Sequence, residues 1–154
     1  MSHVEIGRRD AGFRFRETAR KALLKNQPYL KDLWNLLLGT AGDEVDAHEE
    51  TVEEVARFFA RGFFLDGRNA RMKRMRTSGC HENAAKLWRS DPDRYRIMTG
   101  YGFTKTDGLW RQHSWVLDED GTAIETTFPR EVYFGYILNP KESGWFAEAN
   151  TQRG

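Results

Sequence analysis

The segment LWRQHSWVL, Leu109–Leu117, carries the clearest β-strand pattern in this chain. Branched and aromatic side chains dominate it, as is typical of strands. The same composition recurs in YRIMTGYGF (Tyr95–Phe103), AIETTF (Ala123–Phe128) and EVYFGYIL (Glu131–Leu138). We therefore predict four strands, mostly antiparallel, in the part of the chain that follows Asp93.

The residues before this sheet have a helical pattern instead. Apolar side chains recur at intervals of three and four residues, and Gly and Pro separate the segments. The sequence thus predicts an α+β fold in which helices precede the sheet. Its expected parts are a loose arm (residues 1–12), a helical part (13–77), a cysteine helix with an antiparallel sheet (78–138), and a tail or short helix (139–154). The expected helices cover a segment from residue 13 to the NQP break, then residues 28–38, about 46–61 and about 81–89.

Composition limits the protein class. A chain of 154 residues with 39% apolar residues is long enough for one domain with a real core, and its formal net charge is +1. A single cysteine excludes an internal disulfide and a zinc site made of cysteines alone. The first residues lack the apolar run of a signal peptide, and the longest aliphatic cluster, LWNLLLG, is too short to span a bilayer. These features predict a soluble, cytoplasmic protein.

The only cysteine lies in SGCHENAAKLW, Ser78–Trp88, at the expected start of a helix. Unpaired backbone N–H groups and the helix dipole stabilise a thiolate there, which lowers the pKa of a thiol. Gly79 permits close approach of a substrate backbone, and the Cys80 amide can donate to a developing oxyanion. The alternative interpretation is an inert, buried cysteine.

His113 lies in the middle of the second predicted strand, where a general base for Cys80 would be placed. If residues 119–121 form a three-residue loop, Trp115 faces Glu125 and His113 faces Thr127. His113 and Glu125 are then diagonal neighbours on one face, about 7–8 Å apart, so that Glu125 can orient the imidazole. A two-residue loop would turn Glu125 to the other face. Thr127 or a water molecule remains an alternative third group.

Two further residues, Asn83 and Trp115, are candidates near this site, and His81 is not. Asn83 follows Cys80 by one helical turn and is a candidate oxyanion donor. Trp115 shares the face of His113; core packing is the favoured interpretation, with a cover over the imidazole or contact with substrate as the alternatives. His81 points about 100° away from Cys80 on the helix, so we do not expect it to be the base.

The order of these residues resembles that of papain-like cysteine enzymes, in the compact branch of NlpC-type peptidases, transglutaminase-like domains and arylamine N-acetyltransferases. The resemblance covers about Ser78–Phe128. The stretches TGYGF and GLWRQHSWVL…IETT resemble a recurring bacterial family within that branch. The sequence departs from the usual pattern in SGCHEN around the cysteine and in Glu instead of Asp as the acid.

The resemblance implies Cys80 as nucleophile, His113 as base and Glu125 as the residue that orients it. The reaction it implies is acyl transfer through a thioester, by an amidase, peptidase, deamidase or transglutaminase-type enzyme. It also implies a peptide, protein or small amide as substrate, and no cofactor.

A cluster of basic residues just before the cysteine suggests a different function. Such residues can contact phosphates, although no recognisable nucleic-acid-binding fold accompanies them. The alternative prediction is a non-catalytic interaction or nucleic-acid-binding module. Its contacts would be Arg68, Arg71, Lys73, Arg74 and Arg76.

Overall fold

The computed structural model describes residues 11–151, and these fold into helices packed on one curled, mixed sheet. This agrees with the predicted α+β class. In the described residues, no helix combines the length and apolar character needed to cross a membrane. The helices are α1 (Ala11–Asn26), α2 (Leu30–Thr40), α3 (Val52–Arg61), α4 (Cys80–Ser90) and α5 (Pro140–Thr151).

The sheet has seven strands in the order β2-β7-β4-β5-β6-β3, and β1 pairs separately with β5. Most pairs are antiparallel, but β1 with β5 and β3 with β6 are parallel. A short 3₁₀ helix, Gly67–Asn69, follows β2. The strands are β1 (Glu44–Val45), β2 (Phe63–Asp66), β3 (Arg71–Met72), β4 (Arg96–Thr104), β5 (Leu109–Leu117), β6 (Ala123–Glu125) and β7 (Val132–Ile137).

The prediction for residues 13–77 was incomplete, because this part contains three strands besides its helices. These strands have two to four residues, too few to show an alternating pattern, and they form by pairing with β5, β7 and β6. The helix expected from residue 46 begins at Val52 instead, where Thr51 and Glu54 form a capping box. Most of the expected arm, residues 1–10, lies outside the described residues, whereas residues 11 and 12 belong to α1.

Helices cover one face of the sheet. Leu33 and Leu37 of α2 and Ala84 of α4 join the same buried cluster as Trp110 and Val116 of β5. Side chains alternate along a strand, so the neighbouring residues of β5 point to the opposite face. A second buried cluster lies there, formed by Met98, Trp115, Leu117, Ala123 and Tyr133.

The β5–β6 hairpin has the register that places Glu125 on the second face. Val116 pairs with Ile124, and the Asp118 amide donates to the Thr122 carbonyl at 2.9 Å. The loop between them is residues 119–121, and Gly121 adopts φ 84°, a left-handed conformation that favours glycine. The predicted three-residue loop is thereby confirmed.

Strand β3, which pairs with β6 of the hairpin, leads the chain towards the cysteine. The Lys73 amide donates to the Glu125 carbonyl at 2.9 Å, and the Met75 amide donates to the Thr126 carbonyl at 2.8 Å. A turn closed by the Gly79 amide on the Arg76 carbonyl then reverses the chain into α4. The end of β6 and the start of α4 are therefore held near each other by backbone pairing and a short connection.

We predict that Gly100→Ala destabilises the fold, whereas Gly39→Ala does not. A Cβ at Gly100 would lie 2.0 Å from the Phe134 backbone oxygen in the adjacent strand, while a Cβ at Gly39 meets nothing within 4 Å. Overpacking in the sheet costs about 1–3 kcal/mol, and alanine in an exposed helix is better than glycine by about 0.5–1 kcal/mol. Urea denaturation followed by circular dichroism measures both; equal free energies of unfolding for the two variants would contradict the prediction.

Candidate active site

Cys80 is the first residue of α4, and its side chain is partly exposed. The preceding residue, Gly79, provides no side-chain cap for this helix, and the first intrahelical bond joins the Asn83 amide to the Gly79 carbonyl. The first N–H groups of a helix have no intrahelical acceptor, so they form a site that favours negative charge. Cys80 and Gly79 line a cleft of about 370 Å³ with Ser78, His81, Glu82, Ala149 and Asn150.

Behind the cysteine, His113 and Glu125 form a buried pair. His113 Nε2 lies 2.8 Å from Glu125 Oε1, and both side chains are almost fully buried. Thr127 donates to Glu125 Oε2 from its amide and its hydroxyl, and the Tyr133 hydroxyl donates to Oε1. Burial raises the pKa of Glu125, but the bond with His113, the charge of His113 and the Thr127 amide outweigh it and lower the pKa to about 2.

Of the alternative third groups, Thr127 does not take the predicted place of Glu125. The Thr127 hydroxyl lies 2.8 Å from Glu125 Oε2, and it is Glu125 that meets His113 Nε2. Thr127 thus fixes the second oxygen of the same carboxylate.

Two aromatic rings enclose the His113 imidazole. Trp115 and Tyr133 stack against it with ring centroids 5.7 and 6.2 Å away and interplanar angles of 21° and 17°. Both aromatic residues are fully buried. Trp115 therefore packs in the core, as the sequence favoured, and covers the imidazole, but its full burial leaves no surface for contact with substrate.

Contacts of the thiol connect Cys80 with two histidines. Burial raises the pKa of the Cys80 thiol, but hydrogen bonds with His113 and His81 outweigh this effect and lower the pKa to about 5. Burial lowers the pKa of His113, but its hydrogen bonds with Cys80 and Glu125 raise the pKa above its usual value. A thiolate is thus the favoured form of Cys80 at neutral pH, and the raised pKa of His113 favours an imidazolium beside it. Because Glu125 takes Nε2, the ring nitrogen left for sulfur is Nδ1.

The start of α4 lies at the open edge of β5. On that edge, β1 pairs with Trp110 and β6 pairs with Val116, and among the described residues no strand pairs with the stretch between them. The rest of α4 packs on the helix-covered face, whereas His113 belongs to the opposite face. Because Cys80 begins α4 at this edge, its sulfur can reach His113 on one face of the sheet while the rest of α4 packs on the opposite face.

His81 occupies the helix-covered face beside the cysteine. Its Nδ1 lies 2.7 Å from Ser114 Oγ, and its Nε2 lies 2.8 Å from Gln112 Oε1. Burial lowers the pKa of His81, but the hydrogen bonds with Cys80 and Gln112 and the thiolate charge raise it. Sequence reasoning set His81 aside as the base because of its direction on the helix, and both of its ring nitrogens have partners on β5.

Asn83 and Gly79 differ in their relation to the cleft. The Asn83 side chain is buried, and its amide nitrogen donates to the Arg76 carbonyl at 2.7 Å. This bond fixes the turn before Cys80, in place of the predicted oxyanion contact. Gly79 lines the cleft as expected, and the backbone N–H groups at the start of α4 are the oxyanion donors that the geometry favours.

The basic residues before the cysteine are largely used within the chain. Arg68 pairs with Asp66 at 2.7 Å and Arg71 with Asp118 at 3.3 Å. Arg74 donates to the Thr127 carbonyl, and Arg76 lies 3.6 Å from Glu82. These contacts reduce the positive charge available to phosphates. Nucleic-acid binding by Arg68, Arg71, Lys73, Arg74 and Arg76 stays a prediction from the sequence.

Sequence reasoning did not identify two residues of this region, Tyr133 and Arg130. Tyr133 reaches Glu125 only because β7 lies beside β4 in the sheet, and no local pattern shows this order. Arg130 lies in the loop before β7, where it interacts electrostatically with Glu125 and Cys80. Within residues 11–151, no group of three or more His, Cys, Asp or Glu side chains is arranged to hold a metal ion.

We predict that the rate of Cys80 alkylation by iodoacetamide rises with a midpoint near pH 5, because the thiolate is the reactive form and its pKa is lowered to about 5. In His113→Asn the thiolate loses its main cationic partner, so the midpoint should rise by about 1–3 pH units. A wild-type midpoint at or above about 8.5, the value of a free thiol, would contradict the prediction.

We further predict that Glu125→Gln raises this midpoint more than Thr127→Val does. A neutral amide no longer stabilises the His113 imidazolium, so the pKa of His113 falls and the thiolate loses a charged partner. Thr127→Val removes one hydrogen bond to Glu125 but keeps the carboxylate. The same alkylation assay measures both variants, with circular dichroism as a check of folding; a shift only in Thr127→Val would exclude Glu125 as the orienting group.

Comparison with known proteins identifies no relative: no family model, no curated protein and no solved structure matches the chain. The chemistry of the site must therefore be argued from its own residues.

Proposed function

We propose that this chain is a cysteine-nucleophile acyl-transfer enzyme of papain-like type. The observation that carries the proposal is the buried hydrogen bond between His113 and Glu125 behind a partly exposed, low-pKa cysteine. An inert structural cysteine needs neither a lowered pKa nor a charged imidazole beside it. The cleft of about 370 Å³ at Cys80 gives an acyl group access to the sulfur.

In the first step, the Cys80 thiolate attacks the carbonyl carbon of an amide. A carbon–sulfur bond forms and the carbonyl oxygen takes the negative charge. The free N–H groups at the start of α4 donate to this oxygen, and they need no rearrangement because the helix already fixes them. Loss of one such donor in comparable enzymes costs about 10²–10³ in rate.

In the second step, the tetrahedral intermediate collapses and the carbon–nitrogen bond breaks. The His113 imidazolium gives its Nδ1 proton to the leaving amine, and the acyl group remains on Cys80 as a thioester. The neutral imidazole then takes a proton from the attacking acceptor. Water as acceptor gives amidase, peptidase or deamidase chemistry, and an amine gives transglutaminase-type chemistry. Either restores the thiolate and the imidazolium.

Glu125 acts on this cycle through His113. Its carboxylate accepts from Nε2 and is ionised at neutral pH because its pKa is about 2. It thus fixes the direction of the ring and stabilises the imidazolium in each half-reaction. Trp115 and Tyr133 exclude water from this bond, which strengthens it.

The papain-like assignment is supported by placement alone. The nucleophile begins a helix, the base lies in the middle of β5, and the acid lies on β6, the strand that pairs with β5. The substrate class we propose is a peptide, protein or small amide.

We predict that p-nitrophenyl acetate acetylates Cys80 and that turnover follows. His113→Asn should slow turnover about 10²–10⁴-fold at pH 7, since general base catalysis of thioester hydrolysis is lost and a smaller fraction of Cys80 is thiolate. His81→Asn should stay within about tenfold of wild type, because its ring nitrogens are held by Ser114 and Gln112. Release of p-nitrophenolate measures the rate, and intact-mass analysis locates the acetyl group.

Cys80→Ala is the control for acetylation at other nucleophiles. A larger loss of activity in His81→Asn than in His113→Asn would show that His81 is the base and that the assignment to His113 is wrong. Acetylation in Cys80→Ala at the wild-type rate would remove the proposed nucleophile altogether.

A further inference from the structure

A second, larger cavity of about 750 Å³ opens away from the cysteine cleft. Arg111 lines this cavity, and it lies two residues before His113 on β5. Residues two apart on a strand point to the same face, so the cavity borders the His113 face of the sheet. The segment from the 3₁₀ helix to Met72, the turn between β4 and β5, and the loop before β7 form the rest of the wall. The lining residues that matter below are Met72, Arg111, Phe128, Pro129 and Arg130.

Arg130 is the buried cation of this cavity. Only 6% of the residue is exposed, and its side chain lies over Gly102, where an added Cβ would come within 3.1 Å of Nε. The guanidinium stacks 3.8 Å above the Phe128 ring, and one of its nitrogens donates to the Phe128 carbonyl. Among residues 11–151 it has no ion pair with a carboxylate. Buried charges are normally paired, since an unpaired one costs several kcal/mol.

The carboxylates near Arg130 have other partners, including Glu131 in the cavity wall, which accepts from the Lys105 amide at 3.0 Å. Both Glu125 oxygens are occupied by His113, Thr127 and Tyr133. Asp107, another wall residue, lies 2.6 Å from Arg111. The exposed Arg68 at the cavity rim is likewise paired, with Asp66.

We propose that this cavity binds an organic carboxylate, with the anionic group on the Arg130 guanidinium and an apolar body against Met72, Phe128 and Pro129. A guanidinium offers a planar fork of donors that matches a carboxylate. The volume is that of a small-molecule site. The apolar wall favours an amphipathic anion over inorganic phosphate, which would leave that wall uncovered.

The site also has an electrostatic connection with the cysteine. Burial lowers the pKa of Arg130, while the charges of Glu125 and Cys80 act in the opposite direction. The cavity shares no lining residue with the cysteine cleft, so the bound carboxylate is a ligand separate from the acyl donor of the proposed function. Binding itself needs no chemistry at Cys80.

Isothermal titration of the full chain carrying Cys80→Ala tests the site with 4-phenylbutyrate as probe. We expect saturable binding of one equivalent, at least about tenfold tighter than that of the neutral 4-phenylbutyramide. Arg130→Gln should reduce the affinity for the acid to that for the amide. Arg57→Gln, in an arginine that lines a different cleft beside Tyr136, should leave the affinity unchanged.

A second variant keeps the test decisive if Arg130→Gln does not fold. Met72→Trp, at an exposed position of β3, fills the cavity while Arg130 stays in place, and it should abolish binding. Equal affinities for acid and amide, or an unchanged affinity in either cavity variant, would overturn the site. Tighter binding of inorganic phosphate than of 4-phenylbutyrate would overturn the ligand class. Because Cys80 is absent, these outcomes are independent of the acylation result.

Discussion

The bond of 2.8 Å between His113 Nε2 and Glu125 Oε1 places an ionised carboxylate where no water reaches it. A charge buried in this way is stable only if nearly all its hydrogen-bonding capacity is used. Here an imidazole, an amide and two hydroxyl groups meet the two oxygens. These groups belong to β5, to β7 and to the segment after β6, so the carboxylate connects three parts of the chain. The charge state of the cysteine depends on this arrangement through the imidazole.

The β5–β6 hairpin makes this bond geometrically available. With one residue fewer in the loop, Glu125 would point to the helix-covered face and His113 would stay on the other. The left-handed Gly121 and the bond from Asp118 to Thr122 fix the longer loop. The parallel pairing of β3 with β6 then holds the segment before α4 against Glu125. Register and pairing together bring the three side chains together from distant parts of the sequence.

The long strands β4, β5 and β7 and the cysteine helix could be predicted because their patterns are local, whereas the strand expected over Ala123–Phe128 ends at Glu125. Val132–Ile137 alternates and is aromatic-rich, and α4 follows a glycine. The relation of His113 to Glu125 was also predictable, since a hairpin loop sets the register by short-range geometry. By contrast, β1 and β3 have two residues each and exist only through pairing. Tyr133 and Arg130 approach the site through the order of strands, which sequence pattern does not encode.

The pattern of charges around the cysteine has a consequence for oxidation. A thiol with a pKa of about 5 is a thiolate at neutral pH, and thiolates react with peroxides to give sulfenic acid. Cys80 is the only cysteine of the chain, so no second sulfur within it can trap that product as a disulfide. Protection of that product as a disulfide therefore requires a thiol supplied by another molecule, and the cleft at Cys80 is the route by which it would enter.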